Sequence, residues 1–446
     1  MSKSTHLWHD HHSSPITDIL FITVYRFFAV PLLIFSTIIL AILGHKKIRA
    51  GLKMRWPQKD RHPWFDLPKN KKPLWIHCAS GEFEYAKPLI TKIKQKHPDW
   101  QILVTYFSPT YKKNIENFPG VDMSCPLPWD TPGAISAFIR HHQPKVLLIS
   151  RTDLWPELLY QFKKRNLPTI LFSCTLGKSK NYFLRKYWQW LYGFFSVIYC
   201  VSQEDKVNFL ELGVPWVSVM GDTRYDQVFA RLENSKKLKK FLYDTSLQSE
   251  ITLVSGSTWM EDEKVLLAGC AAFVQNQQMR LIIAPHEPDE EHLEKLITQL
   301  NDYNLKYQKY SLAQHWHADE ILIIDQIGIL AELYSFGQLA FIGGSFKKSV
   351  HSVMEALAAG AVTFVGPHHT NNREALIFKN QILEHLPNYH FVNTVNDSES
   401  LKRDLFKMIS HSLQIESAQK QITALIKTYQ GATVHVLKWL EKMEIE

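Results

Sequence analysis

Glu82 stands where an apolar run ends and an amphipathic one begins: Leu74 to Ser80 reads as a buried strand, and Glu84 to Lys96 as a helix. A carboxylate at that junction can take a proton from a hydroxyl nucleophile, or it can simply complement the helix dipole. Other chemistry-bearing residues recur at similar junctions. Arg151-Thr152-Asp153 follows the run Lys145–Ser150, and its Arg–Asp pair suits a charged substrate or closes a local salt bridge. Arg224, in Gly221-Asp222-Thr223-Arg224, can reach an anionic leaving group. In the second half of the chain, Gly256-Ser257-Thr258-Trp259, Ala284-Pro285-His286-Glu287 and Asp325-Gln326-Ile327-Gly328-Ile329 end three further apolar runs. The stretch from Leu339 to Glu374 is the densest. An apolar run meets Gly343-Gly344, a polar loop carries His351, and a small-residue helix spans Ser352 to Ala359, with Val353, Met354 and Glu355 in its first turn and Gly360 as its stop. Strand, glycine loop and helix N-terminus together make either an anion site or an ordinary turn of a parallel sheet.

These positions need a scaffold that gathers strand ends. Apolar runs at Leu74–Ser80, Ile102–Phe107, Lys145–Ser150, Thr169–Thr175, Val197–Ser202 and Val217–Gly221 alternate with helical stretches. After a charged, strandless segment the rhythm restarts at Ile251–Ser255, Arg280–Ala284, Ile321–Ile324, Leu339–Ile342, Thr363–Val365 and His390–Val392. Continuous apolar strands with helical crossovers predict parallel sheets covered on both faces. The expected architecture is α/β: two Rossmann-like, doubly wound domains, 73–230 and 251–446, joined by a linker at 231–250. Ligands are expected in a cleft between them, at the carboxyl ends of the strands. A last amphipathic helix is expected over Gln414 to Lys442. Neither a G-x-G-x-x-G fingerprint nor a Walker loop occurs.

Composition narrows the partners. With 446 residues, 45% hydrophobic and 21% charged, the chain is globular and too long for one core. A net charge of +8 asks for an anionic partner: nucleic acid, lipid or small substrate. Five scattered cysteines without a CxxC pair read as reduced, buried thiols. Residues 1–18 form a polar tail whose His6, His9, His11 and His12 read as solvated rather than metal-binding. Ile19 to Leu43 is apolar and long enough to cross a bilayer, with Arg26 expected to snorkel. Lys46, Lys47, Arg49, Lys53 and Arg55 follow within the basic segment 44–72, which places the rest of the chain on the cytoplasmic side. A helix lying in the membrane plane and a buried N-terminal helix are the alternatives. The aromatic, basic run Lys178 to Phe195 suits either a headgroup surface or a helix with a core face.

Seven boxes in order, HCASGEFE, TDLWP, GDTRYD, GSTW-x-EDE, APHEP, GGSF with HSVMEA, and GPH, resemble those of the 3-deoxy-D-manno-octulosonic acid (Kdo) transferases. The resemblance implies a GT-B glycosyltransferase anchored at the bacterial inner membrane, which moves Kdo from CMP-Kdo to a lipid A precursor in lipopolysaccharide synthesis. It implies no cofactor and no nucleic acid partner. It makes Glu82 the catalytic base, gives Asp153 and Arg224 transition-state roles, and puts Pro285, His286, Ile327, Gly328, Ile329, Ser352, Val353, Met354 and Glu355 at the CMP. The sequence departs from the family pattern at Arg151 and Asp153, where two glutamates are usual, and at His286 and Ser352. Another CMP-ulosonate or acceptor, or a catalytically silent lipid-binding scaffold, are the competing readings.

Overall fold

The computed structural model describes residues 15–55, 72–177, 182–233, 238, 251–317 and 319–443. The histidine-rich tail, most of the linker, residues 56–71 of the basic segment and the first residues of the Lys178–Phe195 run lie outside the described residues.

The chain divides into two compact units, residues 1–226 with 431–446 and residues 227–430. The first unit opens with helices α1 (Pro15–Val24), α2 (Val30–Ile42) and α3 (Lys46–Arg55), with a π-helical turn, Tyr25–Ala29, between the first two. A seven-stranded sheet follows: β1 (Leu74–Cys78), β2 (Ile102–Tyr106), β3 (Met123–Pro126), β4 (Val146–Ser150), β5 (Thr169–Cys174), β6 (Val197–Cys200) and β7 (Val217–Val219). Its helices are α4 (Phe83–Lys96), α5 (Lys112–Glu116), α6 (Pro132–His142), α7 (Pro156–Lys164), α8 (Tyr182–Tyr192) and α9 (Gln203–Leu212), and α10 (Thr223–Glu233) starts in this unit and continues into the second. The strand order is β3-β2-β1-β4-β5-β6-β7, and every pairing is parallel. The order reverses between β1 and β4, where the loops after both strands splay apart and leave a crevice. Burial explains the continuous apolar runs: Leu74, Ile76 and Cys78 face one core layer and Trp75 the other. Each such fully buried large side chain contributes about 1.5–3 kcal/mol.

The second unit repeats the plan with β8 (Ile251–Thr258), β9 (Met279–Pro285), β10 (Tyr307–Lys309), β11 (Ile321–Ile323), β12 (Leu339–Ile342), β13 (Val362–Val365) and β16 (Val392–Thr394). Their order, β10-β11-β9-β8-β12-β13-β16, reverses between β8 and β12. A small antiparallel pair, β14 (Ile382–Leu383) and β15 (Leu386–His390), stands apart. Both Rossmann-like units are therefore as expected.

Several boundaries differ from expectation. β3, β10 and the β14–β15 pair had no clear apolar run, and His390–Val392 is split, with His390 ending β15 and Val392 starting β16. The last helix is two, Ser412–Lys427 and Ala432–Lys442, broken at Gly431 with φ +102°. Asp226 fixes that break, accepting from Thr433 N at 2.8 Å and Thr433 Oγ1 at 2.7 Å, as well as from Gly431 N. Ala432, Val436, Leu437 and Leu440 then complete a core layer with α4 and β1, so the chain's end belongs to the first unit and not to a continuous 251–446 domain.

The N-terminal helix is long and apolar enough to cross a membrane from Ile16 to Ile42. It is also tied to the first unit. Arg26 does not snorkel: its Nε and Nη2 donate to the two Glu157 oxygens at 2.7 and 2.9 Å, and Glu157 is fully buried. Tyr25 donates to Asp130 at 2.7 Å, while Lys163 and Trp190 donate to Asp18. The π-helical turn carries both Tyr25 and Arg26. At the other end Arg55, buried, donates to Leu127 O and Phe107 O and stacks on Phe107. Between these ties, Phe27, Phe28, Leu32, Phe35, Ile42 and Leu43 stay exposed.

Candidate functional site

Glu82 ends the turn after β1 and is the N-cap of α4. Ser80 N–H donates to its Oε2 at 2.9 Å, and Ser150 Oγ, from the end of β4, donates to its backbone carbonyl at 3.1 Å. Its other carboxylate oxygen has no partner among the described residues. The half-buried side chain sits beside the reversal between β1 and β4. Topology thus gives a proton acceptor at the crevice, with one oxygen already oriented.

Asp153 is placed differently from a free acid. His77, in β1 and fully buried, meets it Nε2 to Oδ2 at 2.6 Å. Trp155 Nε1–H donates to the same oxygen at 3.1 Å. Thr105 Oγ1 accepts from Trp75 at 2.8 Å and faces His77 Nδ1 at 2.9 Å, which fits a histidine with its proton on Nε2. Burial pushes the Asp153 carboxyl up, but the hydrogen bonds from His77 and Trp155 outweigh it and hold the group below its usual value. In the sequence His77 is visible only as a histidine inside an apolar strand, with nothing local to assign it a role.

Arg224 is folded onto Asp222, with Nη2 donating to Oδ2 at 2.6 Å and Nε to both oxygens at 3.1 Å. Its guanidinium carbon lies 4.6 Å from the Tyr85 ring centroid, and that of Arg151 lies 4.9 Å from the same centroid. Arg151 also donates to the Tyr85 hydroxyl and holds a left-handed φ of +67°. Two cations therefore share one aromatic ring beside β4, which favours an anionic ligand there. The Arg–Asp pair at 151 and 153 is not a local salt bridge, because Asp153 turns to His77.

In the second unit the loops after β8, β9 and β12 meet at the strands' carboxyl ends. His286 and His351 stack with centroids 4.2 Å apart, and Trp259 lies 5.0 Å from His286. Trp259 Nε1–H donates to His351 Nε2 at 3.2 Å, which puts the His351 proton on Nδ1. Burial, then the neighbouring His286, pushes His351 down to about 4, so it is neutral at pH 7. Lys347 Nζ stands 3.3 Å from the Trp259 ring centroid. Asp262 shapes this edge by accepting from the backbone N–H of Trp259, Gly344 and Phe346. The glycine pair is required: a Cβ at Gly343 would sit 2.2 Å from Ser257 O, and one at Gly344 (φ +83°) 2.3 Å from Ser349 O.

The expected CMP positions split by exposure. Pro285, Val353 and Met354 are buried, while His286, Ser352, Ile327 and Gly328 are exposed. Ile329 precedes the short helix Leu330–Leu333. The helix expected at Ser352 starts at Met354 and has five residues, so Ser352 and Val353 precede it. Glu355 accepts from Arg231 at 3.1 Å. Trp259 was legible only as the end of an apolar run, and Lys347 and Asp262 were not singled out as site residues; their signal was position after β8 and β12. All five cysteines are free and buried, as expected.

With this geometry in view, residues 52–227 match the family described as 3-Deoxy-D-manno-octulosonic-acid transferase (kdotransferase). The chain is 25% identical over 371 residues to the 3-deoxy-D-manno-octulosonic acid transferase of Haemophilus influenzae, covering 78% of this chain and 83% of that protein. It is 28% identical over 313 residues to the enzyme of the same name from Aquifex aeolicus, covering 69% and 79%. Among solved structures, UDP-GlcNAc 2-epimerase from Neisseria meningitidis superposes with a TM-score of 0.55 at 14% identity, covering 83% of this chain and 99% of that one, which speaks for the fold alone. The chain is a glycosyltransferase that resembles the Kdo transferases over more than two thirds of its length.

Proposed function

We propose that this enzyme transfers Kdo from CMP-Kdo to a sugar hydroxyl of a lipid A precursor at the cytoplasmic surface of a bacterial inner membrane. Glu82 carries the reading: a carboxylate at the β1–β4 reversal with one oxygen held and the other without a partner among the described residues. In the proposed step Glu82 takes the acceptor hydroxyl's proton. The oxygen attacks the anomeric carbon of Kdo, the bond from that carbon to the CMP oxygen breaks with its electron pair, and CMP leaves as a phosphate monoester. The configuration inverts. Arg224 and Arg151, around Tyr85, favour negative charge near this base. Asp153 acts through His77 and Trp155 as a positioning residue. The second unit holds CMP, with His286 and the stacked His351 at its edge and Pro285, Ile327 to Ile329 and Ser352 to Glu355 around it. Val353 and Met354, being buried, serve through backbone or packing.

The ties at both ends of the apolar segment support one form of membrane seat. Asp18, Tyr25, Arg26 and Arg55 all bind the first unit, so the exposed apolar stretch between the ties runs from Phe27 to Leu43, about 25 Å long as a helix. That is shorter than a hydrocarbon core of about 30 Å. The reading this supports is an in-plane anchor whose exposed face enters the bilayer boundary beside Lys46, Lys47 and Lys53.

The test is the purified full chain in detergent with CMP-Kdo and lipid A precursor. CMP release and a glycolipid heavier by Kdo units are expected. A chain that binds both and releases no CMP contradicts the proposal and favours a lipid-binding scaffold.

A further inference from the structure

A cavity of about 380 Å³ opens at the carboxyl ends of β4 and β5, walled by α8 and α9. We infer that it is an acceptor subsite, holding a hexosamine ring of the glycolipid other than the one that reacts; this rests on the function proposed above. Arg185, Trp188 and Tyr192 line it at i, i+3 and i+7, one face of α8. The Trp188 and Tyr192 rings stack at 5.9 Å, 29° apart, and offer an apolar platform for the C–H face of a sugar.

Polar groups stand around the platform. Thr152 and Thr175 supply hydroxyls from the ends of β4 and β5. Asn208, 94% buried by its 6% exposure, donates from Nδ2 to Leu176 O at 2.7 Å, while its Oδ1 has no donor among the described residues. Leu176 N–H is in turn held by Asp205 at 3.0 Å, so that wall is fixed to α9. An aromatic platform ringed by hydroxyl, amide and guanidinium groups is sugar chemistry, in which each polar group answers a ring hydroxyl or amide.

Position supports the same occupant. β1, β4 and β5 are consecutive neighbours, so the cavity begins one to two strand spacings, about 5–10 Å, from β1, the strand whose following turn carries Glu82. That is one step along an oligosaccharide. The opposite face of α8 presents Tyr187 and Trp190 to Phe21 of α1, at 6.1 and 5.2 Å between centroids. One helix therefore separates the cavity from the apolar anchor, where the acyl chains of a glycolipid would stay.

The test uses the full chain in detergent with Trp188→Leu and, as a milder variant that keeps the aromatic wall, Thr175→Val. Far-ultraviolet circular dichroism checks folding, lipid A precursor and CMP-Kdo are varied separately, and equilibrium binding of the precursor is measured without donor. The expected result is an acceptor KM and Kd raised about tenfold for Trp188→Leu and about threefold for Thr175→Val, with kcat and the donor KM unchanged. Folded variants with unchanged acceptor KM and Kd overturn the subsite. Wild-type protein that releases no CMP overturns the Kdo-transfer reading instead, and the binding arm alone then decides the cavity.

Discussion

Removing the Asp153 carboxylate separates chemistry from positioning. In Asp153→Ala the Nε2–H of fully buried His77 loses an acceptor at 2.6 Å, and Trp155 Nε1–H loses the same oxygen. A buried donor stranded from a charge-assisted bond costs about 2–3 kcal/mol. For a domain of this size that lowers Tm by roughly 4–12 °C. Asp153→Asn keeps an acceptor oxygen and loses only the charge, so its cost is about 1 kcal/mol. Linkage adds a pH signature. The folded Asp153 carboxyl lies below its unfolded value of about 3.9, so its stabilisation is complete above that value and fades as pH falls through the lower folded one. The stability gap between wild type and Asp153→Asn should therefore narrow below about pH 4. Calorimetry across pH, with CMP release at pH 7.5 in parallel, reads both. A positioning residue predicts lower Tm in Ala and a moderate loss of turnover in Asn. Both variants melting like wild type, with turnover down about a thousandfold, would falsify this account and make Asp153 a direct participant.

Arg26→Gln breaks the bidentate bond to buried Glu157 and leaves that carboxylate short of its cation. A stability loss of about 3 kcal/mol is expected by thermal melting in detergent, with flotation on anionic vesicles weakened as the helix loosens; unchanged melting contradicts the tie. His351 is held neutral, its folded value about 4 against about 6.5 unfolded. Unfolding takes up a proton between those values, so stability falls as pH drops from 6.5 towards 4, by about 1–2 kcal/mol once solvent screening of the half-exposed ring is allowed for. Wild type minus His351→Gln melting curves should show that slope, and parallel curves contradict it.

Much of the fold was legible because both sheets are parallel and covered, which writes their strands as continuous apolar runs. β3, whose residues are Met123-Ser124-Cys125-Pro126, and β10, Tyr307-Gln308-Lys309, are edge strands and carry no such run. Periodicity continued the last helix through Gly431, because nothing local announces that Asp226, some two hundred positions earlier, caps the break. Arg26 looked like a snorkelling charge for the same reason: its partner Glu157 is remote in sequence.

The candidate site followed the same division. Glu82 could be placed from a strand-to-helix junction alone, and the β1–β4 reversal puts it at the crevice. Asp153 and Arg224 were legible as charges at strand ends but not as the partners of His77 and Asp222. Trp259 and His351 form one cluster with His286 only after β8, β9 and β12 are ordered in space. What local spacing shows is which residues reach an edge; which of them are already engaged depends on contacts between distant segments.

The central claim is that Glu82 takes the acceptor's proton. Glu82→Gln keeps an oxygen for the Ser80 N–H bond and removes the base. Single-turnover CMP release from CMP-Kdo with lipid A precursor, measured for folded wild type and Glu82→Gln, should fall by at least about a hundredfold, with CMP-Kdo binding unchanged. A variant that releases CMP at the wild-type rate contradicts the assignment.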